Sequence, residues 1–277
     1  MNRAVYNKFF KNRLAVAGLI IVSGFLFAAV FASYLAPCSI YTLDLESRLV
    51  PPDKNHIMGS DDLGRDIFSR IIYGARVSLK VGIITVFVSS IVGIFMGSIA
   101  GYFGGRVDEV IMRIIDILLA FPGILLAVAV VSILGPSLNN VIIALCLVGW
   151  VTYARLVRGQ ILSAKENEYV LVAKALGAPA FRILGLHIIP NIMSPVLIQT
   201  TLGIAGAIVG EASLSFLGLG TQAPTPSWGS MLNDGRRYIL TATHMTAFPG
   251  LAIMLVVMGF NFLGDGLRDA LDPKEKV

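Results

Sequence analysis

An all-α membrane protein with six transmembrane helices is the fold class that this sequence predicts, and three observations carry that reading. Of 277 residues, 56% are hydrophobic and 14% are charged, whereas an average soluble domain carries about 25% charged residues. The mean hydropathy is +0.78. Six separate apolar runs account for both numbers, each near the ~20 residues that a bilayer-spanning helix needs. So little charge excludes a soluble enzyme, a disordered chain and a nucleic-acid binder. The net charge of +5 then points to basic loops that orient a helix array, not to a nucleic-acid partner.

The elements follow in chain order. Residues 1–13 are a basic, cytoplasmic N-terminal segment with Arg3, Lys8, Lys11 and Arg13. The uncharged run Leu14–Leu35 exceeds the roughly 7–15 residues of a signal-peptide core, so it reads as an uncleaved first span. Residues 36–75 form an extracytoplasmic loop, where Asp61, Asp62, Arg65 and Asp66 read as the solvated face of an amphipathic helix. Ser78–Tyr102 is the second span, and its one charge, Lys80, sits close enough to the end to snorkel. Gly93, Gly97, Gly101 and Gly105 recur every fourth residue. They fall on one helix face and allow close packing, with a path-lining role as the second reading.

Ile114–Leu134 is the third span. Asp116 pairs there with Arg113 one turn earlier or serves gating, and Pro122 bends the helix. Asn139–Ala154 is the fourth span, and Met193–Val209 the fifth, with Gly206 and Gly210 repeating the glycine device. Glu211 at its end faces the translocation path or caps the loop. Pro224, Pro226 and Trp228 suggest a rigid turn at the membrane interface. Thr246–Leu263 is the sixth span, followed by a tail over 266–277.

Six spans put both termini on one side. With that side inside, the inner segments hold fourteen Lys and Arg and the outer loops seven, with Lys80 at a boundary. Both termini are therefore expected in the cytoplasm.

No chemistry is expected within the chain. There is no phosphate-binding G-x-x-x-x-G-K-[ST], G-x-S-x-G elbow or H-E-x-x-H pair. Cys38 and Cys146 lie far apart, as do His56, His187 and His244, so neither a disulfide nor a metal spacing is visible. Catalytic, cofactor-binding and metal residues are all expected to be absent.

The inner connection is the informative piece. From Arg155 it reads RLVRGQILSAKENEYVLVAKALGAPAFRILGLHIIPN, about 30 residues where bundle connections usually take 2–8. Tyr169, Val172, Ala173 and Leu176 have helical spacing, Gly177 breaks the helix, and Ala178-Pro179 starts a second through Phe181, Leu184 and Ile188 that ends at Pro190. Such a knob suits a partner protein, and it equally suits lipid headgroups.

These residues resemble the EAA loop of ATP-binding-cassette importer permeases. That pattern runs E-A-A, three residues, G, nine residues, I-x-L-P. Ala173, Gly177 and Pro190 match it, while Leu171, Val172 and His187 stand where glutamate, alanine and isoleucine are usual. MGSDDLGRDIFSRIIYGARVSL, MRIIDILLAFP, EASLSFLGLGTQAPTPSWGSML and NFLGDGLRDALDP are similar to the C-type permease subunit of the dipeptide, oligopeptide and nickel branch. The resemblance covers about residues 10–273.

The resemblance implies a type I importer permease fold, with a five-helix core over 76–265, an inner coupling loop over 159–190 and one added N-terminal helix. It implies a bacterial or archaeal inner membrane. The implied partners are a related second permease, two ATPase subunits holding the ATP and Mg²⁺, and an extracytoplasmic substrate-binding protein. Ala173, Gly177, Ala178, Pro179, Phe181, Arg182 and Pro190 would lie in or beside the coupling helix. Peptides are the favoured cargo and nickel chelates the alternative. A self-sufficient channel or carrier would need interrupted helices at midplane or a carboxylate chain, and only Asp116 is near a midplane. A membrane-embedded enzyme would need paired catalytic groups in the spans, and none is visible.

Overall fold

The structure, a computed structural model, describes residues 3–271. Lys274 and Lys276, two of the inner basic residues, lie outside the described residues. Among those described, every regular element is helical: α1 (Arg3–Lys11), α2 (Arg13–Val30), α3 (Ala32–Leu35), α4 (Ile67–Phe103), α5 (Gly105–Leu119), α6 (Gly123–Leu134), α7 (Leu138–Ala164), α8 (Glu168–Ala175), α9 (Ala180–Arg182), α10 (Ile189–Phe216), α11 (Trp228–Gly235) and α12 (His244–Leu271). A π-helical segment, Ile183–Ile188, joins α9 to α10.

Five helices are long and apolar enough to cross a bilayer, and α5 with α6 makes a sixth span if the bent pair counts as one. The expected third span is thus a broken one. The two helices meet at 86°, because Pro122 caps the start of α6 with an extended ψ of 124° instead of sitting inside a continuous helix. The first expected span, Leu14–Leu35, is divided into α2 and the short α3 at Phe31, whereas the remaining spans run longer than their apolar cores. α4 has 37 residues, about 55 Å at 1.5 Å per residue, against a hydrocarbon core of about 30 Å. Its first turns occupy part of the expected 36–75 loop, and α12 likewise runs to Leu271 through part of the expected tail.

Helix ends are satisfied by side chains. The Asn12 side chain accepts from the amides of Leu14 and Ala15 at the start of α2. Arg76 donates to the carbonyls of Ala29 and Val30 at its end, at 2.6 and 3.0 Å. Lys165 Nζ donates to the Gly101 and Tyr102 carbonyls that close α4, where a cation suits the helix dipole.

Glycines set the closest approaches. A Cβ on Gly93 would lie 2.3 Å from Tyr153 Cβ, and one on Gly97 would lie 2.5 Å from the Ala154 carbonyl. Gly101 meets Ile161 at 3.0 Å, so α4 and α7 run parallel along this seam. Gly105 does not belong to it. α4 has already ended, and Gly105 starts α5 at φ +55° with open space around it. Gly206 likewise packs against nothing within 4 Å, although a Cβ on Gly210 would meet Leu145 at 2.9 Å. α2 runs antiparallel to α12 through Gly18 against Gly259 and Ala15 against Gly266. Both described ends of the chain therefore sit at the α8 end of the bundle. Large apolar side chains such as Phe87, Phe95 and Ile133 face outward, as lipid or a partner subunit requires.

Candidate coupling surface and translocation face

α8 is a two-turn helix whose end is dictated by Gly177. The Gly177 amide donates to the Lys174 carbonyl at 3.0 Å and the Ala178 amide to the Ala173 carbonyl at 3.1 Å. That pair is a Schellman motif. Gly177 adopts φ +78° with nothing within 4 Å of a notional Cβ, so the backbone conformation selects glycine there, not crowding. The buried side of α8 is Val170 with partly buried Ala173. Tyr169, Val172 and Leu176, which share helical spacing with Ala173, are all exposed, Leu176 at 82%. Propensity alone could not choose between two apolar faces of one short helix. Leu171, Val172, Leu176 and Phe181 all expose apolar side chains around Gly177, and of these only Phe181 was expected at the site.

The second helix of the expected knob differs more. Pro179 caps α9, its carbonyl accepting from the Arg182 and Ile183 amides at 3.0 and 3.1 Å. Arg182 is exposed. The chain does not stop at Pro190, which follows the π turn directly in the first turn of α10. The π turn adds one residue per turn and lets the helix run on, so Ala180–Phe216 forms a single 37-residue stretch. The segment after α8 is therefore the root of the fifth span itself.

That span lines a cavity of about 600 Å³ between α4, α6, α7 and α10. Its polar lining is uncharged and includes Thr85, Ser89, Thr152, Tyr153 and Gln199. Gly206 opens onto it. Neither Asp116 nor Pro122 nor Glu211 lines it, although Gly123 beside Pro122 does. Asp116 pairs with Arg155 of α7 at 2.5 Å and not with Arg113, because α5 turns Asp116 and Asp108 toward α7, where Arg158 grips Asp108 at 2.5 and 2.6 Å. Glu211 is fully buried and is not among the residues lining this cavity. Its carboxylate accepts from Ser78 Oγ of α4 at 3.3 Å and from Ser215 Oγ at 2.6 Å.

Two families of known proteins divide the chain between them. Residues 93–277 match the family described as binding-protein-dependent transport system inner membrane component. The chain belongs to this permease family. Residues 3–52 match the N-terminal TM domain of oligopeptide transport permease C, which assigns the permease to the C-type branch. The dipeptide transport system permease protein DppC of Alkalihalophilus pseudofirmus is 50% identical over 99% of this chain and 90% of its own length. The DppC of Bacillus subtilis is 45% identical over 95% and 83%. The glutathione transport system permease protein GsiD of Escherichia coli is 46% identical over 98% and 90%. Among solved structures, the inward-facing MetNI methionine ABC transporter matches with a TM-score of 0.61 at 19% identity, over 74% of this chain and 98% of that one; it supports the fold alone.

At the end opposite α8, the permease buries Asp61, Arg65 and Asp66, which were expected on a solvated face, while Asp62 from the same set stays partly exposed. Asp61, Arg65, Asp66 and Arg70 are all under 8% exposed. Arg65 Nε binds Asp61 at 2.6 Å, and Arg65 and Arg70 both approach Asp234 of α11 at 3.8 and 3.9 Å. Burial raises the Asp234 carboxyl above its ordinary range, with Arg70 pulling it back. Trp228 is no interfacial anchor either. It is fully buried, donates Nε1–H to the Ile71 carbonyl at 3.0 Å and stands edge-on to Phe25. No spacing in the chain signals that Cys38, His56 and Asp66 meet here. Their ligating atoms lie within 4.8 Å of one another.

Proposed function

We propose that this chain is half of the translocation path of an ATP-driven importer of di- or oligopeptides, with both termini and α8 in the cytoplasm. A related second permease completes the path. Two ATPase subunits, holding ATP and Mg²⁺, dock on the apolar patch around Gly177, and an extracytoplasmic binding protein delivers cargo at the Trp228 end. The observation that carries this reading is structural continuity. Val170 of α8 packs with Ile183 and Ile188 of the π turn, and that turn runs directly into the helix that lines the cavity. A displacement at the patch is therefore a displacement of the path wall. ATP binds the closed ATPase dimer better than the open one, and that difference biases the bundle between two states.

Relatives named for dipeptide and glutathione transport support peptide cargo over nickel chelates. The cavity supports it too, since uncharged hydroxyl, phenol and amide groups let a peptide pass without trapping it by charge. The test is uptake of labelled dipeptide by proteoliposomes holding the permease, its sister subunit, the ATPases and the binding protein. ATP-dependent accumulation is expected. Uptake that proceeds equally without the ATPases would overturn the reading.

A further inference from the structure

The polar end opposite α8 holds a set of side chains that the proposed function does not use. Cys38 follows α3, His56 sits in the loop between α3 and α4, and Asp66 caps α4. His56 Nδ1 lies 3.0 Å from Asp66 Oδ1, and the three prospective ligand atoms all fall within 4.8 Å. We propose that Cys38, His56 and Asp66 bind one zinc-class divalent cation, through Sγ, Nδ1 and Oδ1, and so staple the N-terminal helical unit to the core.

The donor set fits such an ion. A mixed thiolate, imidazole and carboxylate set selects a borderline-soft metal over Mg²⁺ or Ca²⁺, which take oxygen. A tetrahedral zinc with Zn–S near 2.3 Å and Zn–N or Zn–O near 2.0–2.1 Å separates its ligand atoms by about 3.3–3.6 Å, so small side-chain rotations suffice. On binding, the Cys38 thiol proton leaves to solvent, and the imidazole carries its single proton on Nε2. One thiolate and one carboxylate then balance the charge of the ion.

The ligands are also held from behind, as metal ligands usually are. Ser69 orients two of them. Its amide and hydroxyl donate to Asp66 Oδ2 at 2.8 and 2.7 Å, which leaves Oδ1 directed at His56 Nδ1, and its Oγ accepts from the Cys38 amide at 3.2 Å. The Asp53 carboxylate accepts from the amides of Asn55 and His56, and the Asp53 amide donates to the His56 carbonyl at 2.9 Å, which fixes the loop that presents the ring. The Asp66 side chain is 1% exposed and His56 is 16% exposed, so the site has a sealed floor and a solvent-facing mouth. Cys146, the other cysteine, lies in α7 and serves as an internal control.

The test uses the full transporter, purified from membranes, stripped with chelator and reloaded with Zn²⁺ or Co²⁺. One zinc per permease copy is expected after desalting, and the cobalt form should show a thiolate-to-cobalt charge-transfer band. Cys38→Ser and His56→Ala should each weaken zinc binding at least about tenfold, and Cys38→Ser should also abolish the band, while Cys146→Ser keeps both. These variants spare the Asp66 helix cap. Equal zinc content in the wild type and in Cys38→Ser, or a cobalt spectrum without the thiolate band, would overturn the proposal.

Discussion

Gly177 shows how one backbone angle fixes a surface. Its φ of +78° is the left-handed region, which costs a non-glycine residue about 1–2 kcal/mol, with asparagine favoured among the exceptions. No side chain crowds the position, so size and conformation separate cleanly. Gly177→Asn is expected to retain most peptide-stimulated ATP hydrolysis, whereas Gly177→Val, β-branched as well as strained, should lose it several-fold with membrane insertion intact. Assaying both variants in the reconstituted complex decides this, and equal loss in the two would mean that bulk matters, not the angle. The glycine was legible in the sequence as a helix stop. The partner of Asp116 was not, because an i,i+3 neighbour is always visible in a sequence and an arginine 39 residues away is not. Trp228 was misplaced for a related reason: an aromatic near an apolar run reads as an interfacial anchor, and only the fold supplies the buried Ile71 carbonyl that its N–H reaches.

At the scale of elements, apolar runs were enough to find the helices but not their ends. Hydropathy reports the part of a helix that lipid covers, and caps decide the rest. Asp66 starts α4 eleven residues before the expected second span, and α7 continues ten residues past the expected fourth. The π turn left no trace at all, since an extra residue per turn changes hydrogen-bond partners and not composition. The α4–α7 seam was legible in the run Gly93, Gly97, Gly101 and Gly105, of which the first three form it. It makes a sharp prediction. In Gly97→Leu the new side chain meets α7 backbone at 2.5 Å, and overpacking of this kind costs about 1–3 kcal/mol, occasionally more. Gly24→Leu on α2, where a Cβ meets nothing within 4 Å, should be close to neutral. Thermal melts of the two purified variants in one detergent compare them, and a Gly97→Leu melt matching wild type would deny that the seam is tight.

For the whole molecule, the lesson lies in how docking and transport are joined. The α8 patch has an outer face, Leu171, Val172 and Leu176, and an inner one, Val170, which packs on Ile183 and Ile188. These faces have separable jobs if α8 transmits motion to α10. Leu176→Ser alters only what the ATPase would touch, so it should reduce copurification of the ATPase subunits. Val170→Ala removes two buried methyl groups, worth about 1.5 kcal/mol from burial alone, and leaves the outer face unchanged. It should retain ATPase copurification and ATP hydrolysis while peptide taken up per ATP falls several-fold. The contrast follows from geometry, because a loosened joint still binds its motor but moves the cavity wall less. Measuring subunit stoichiometry, hydrolysis and uptake on the same preparations reads all three quantities. If Val170→Ala lowers hydrolysis and uptake in proportion, α8 and α10 do not act as one lever, and the path must be driven through another contact.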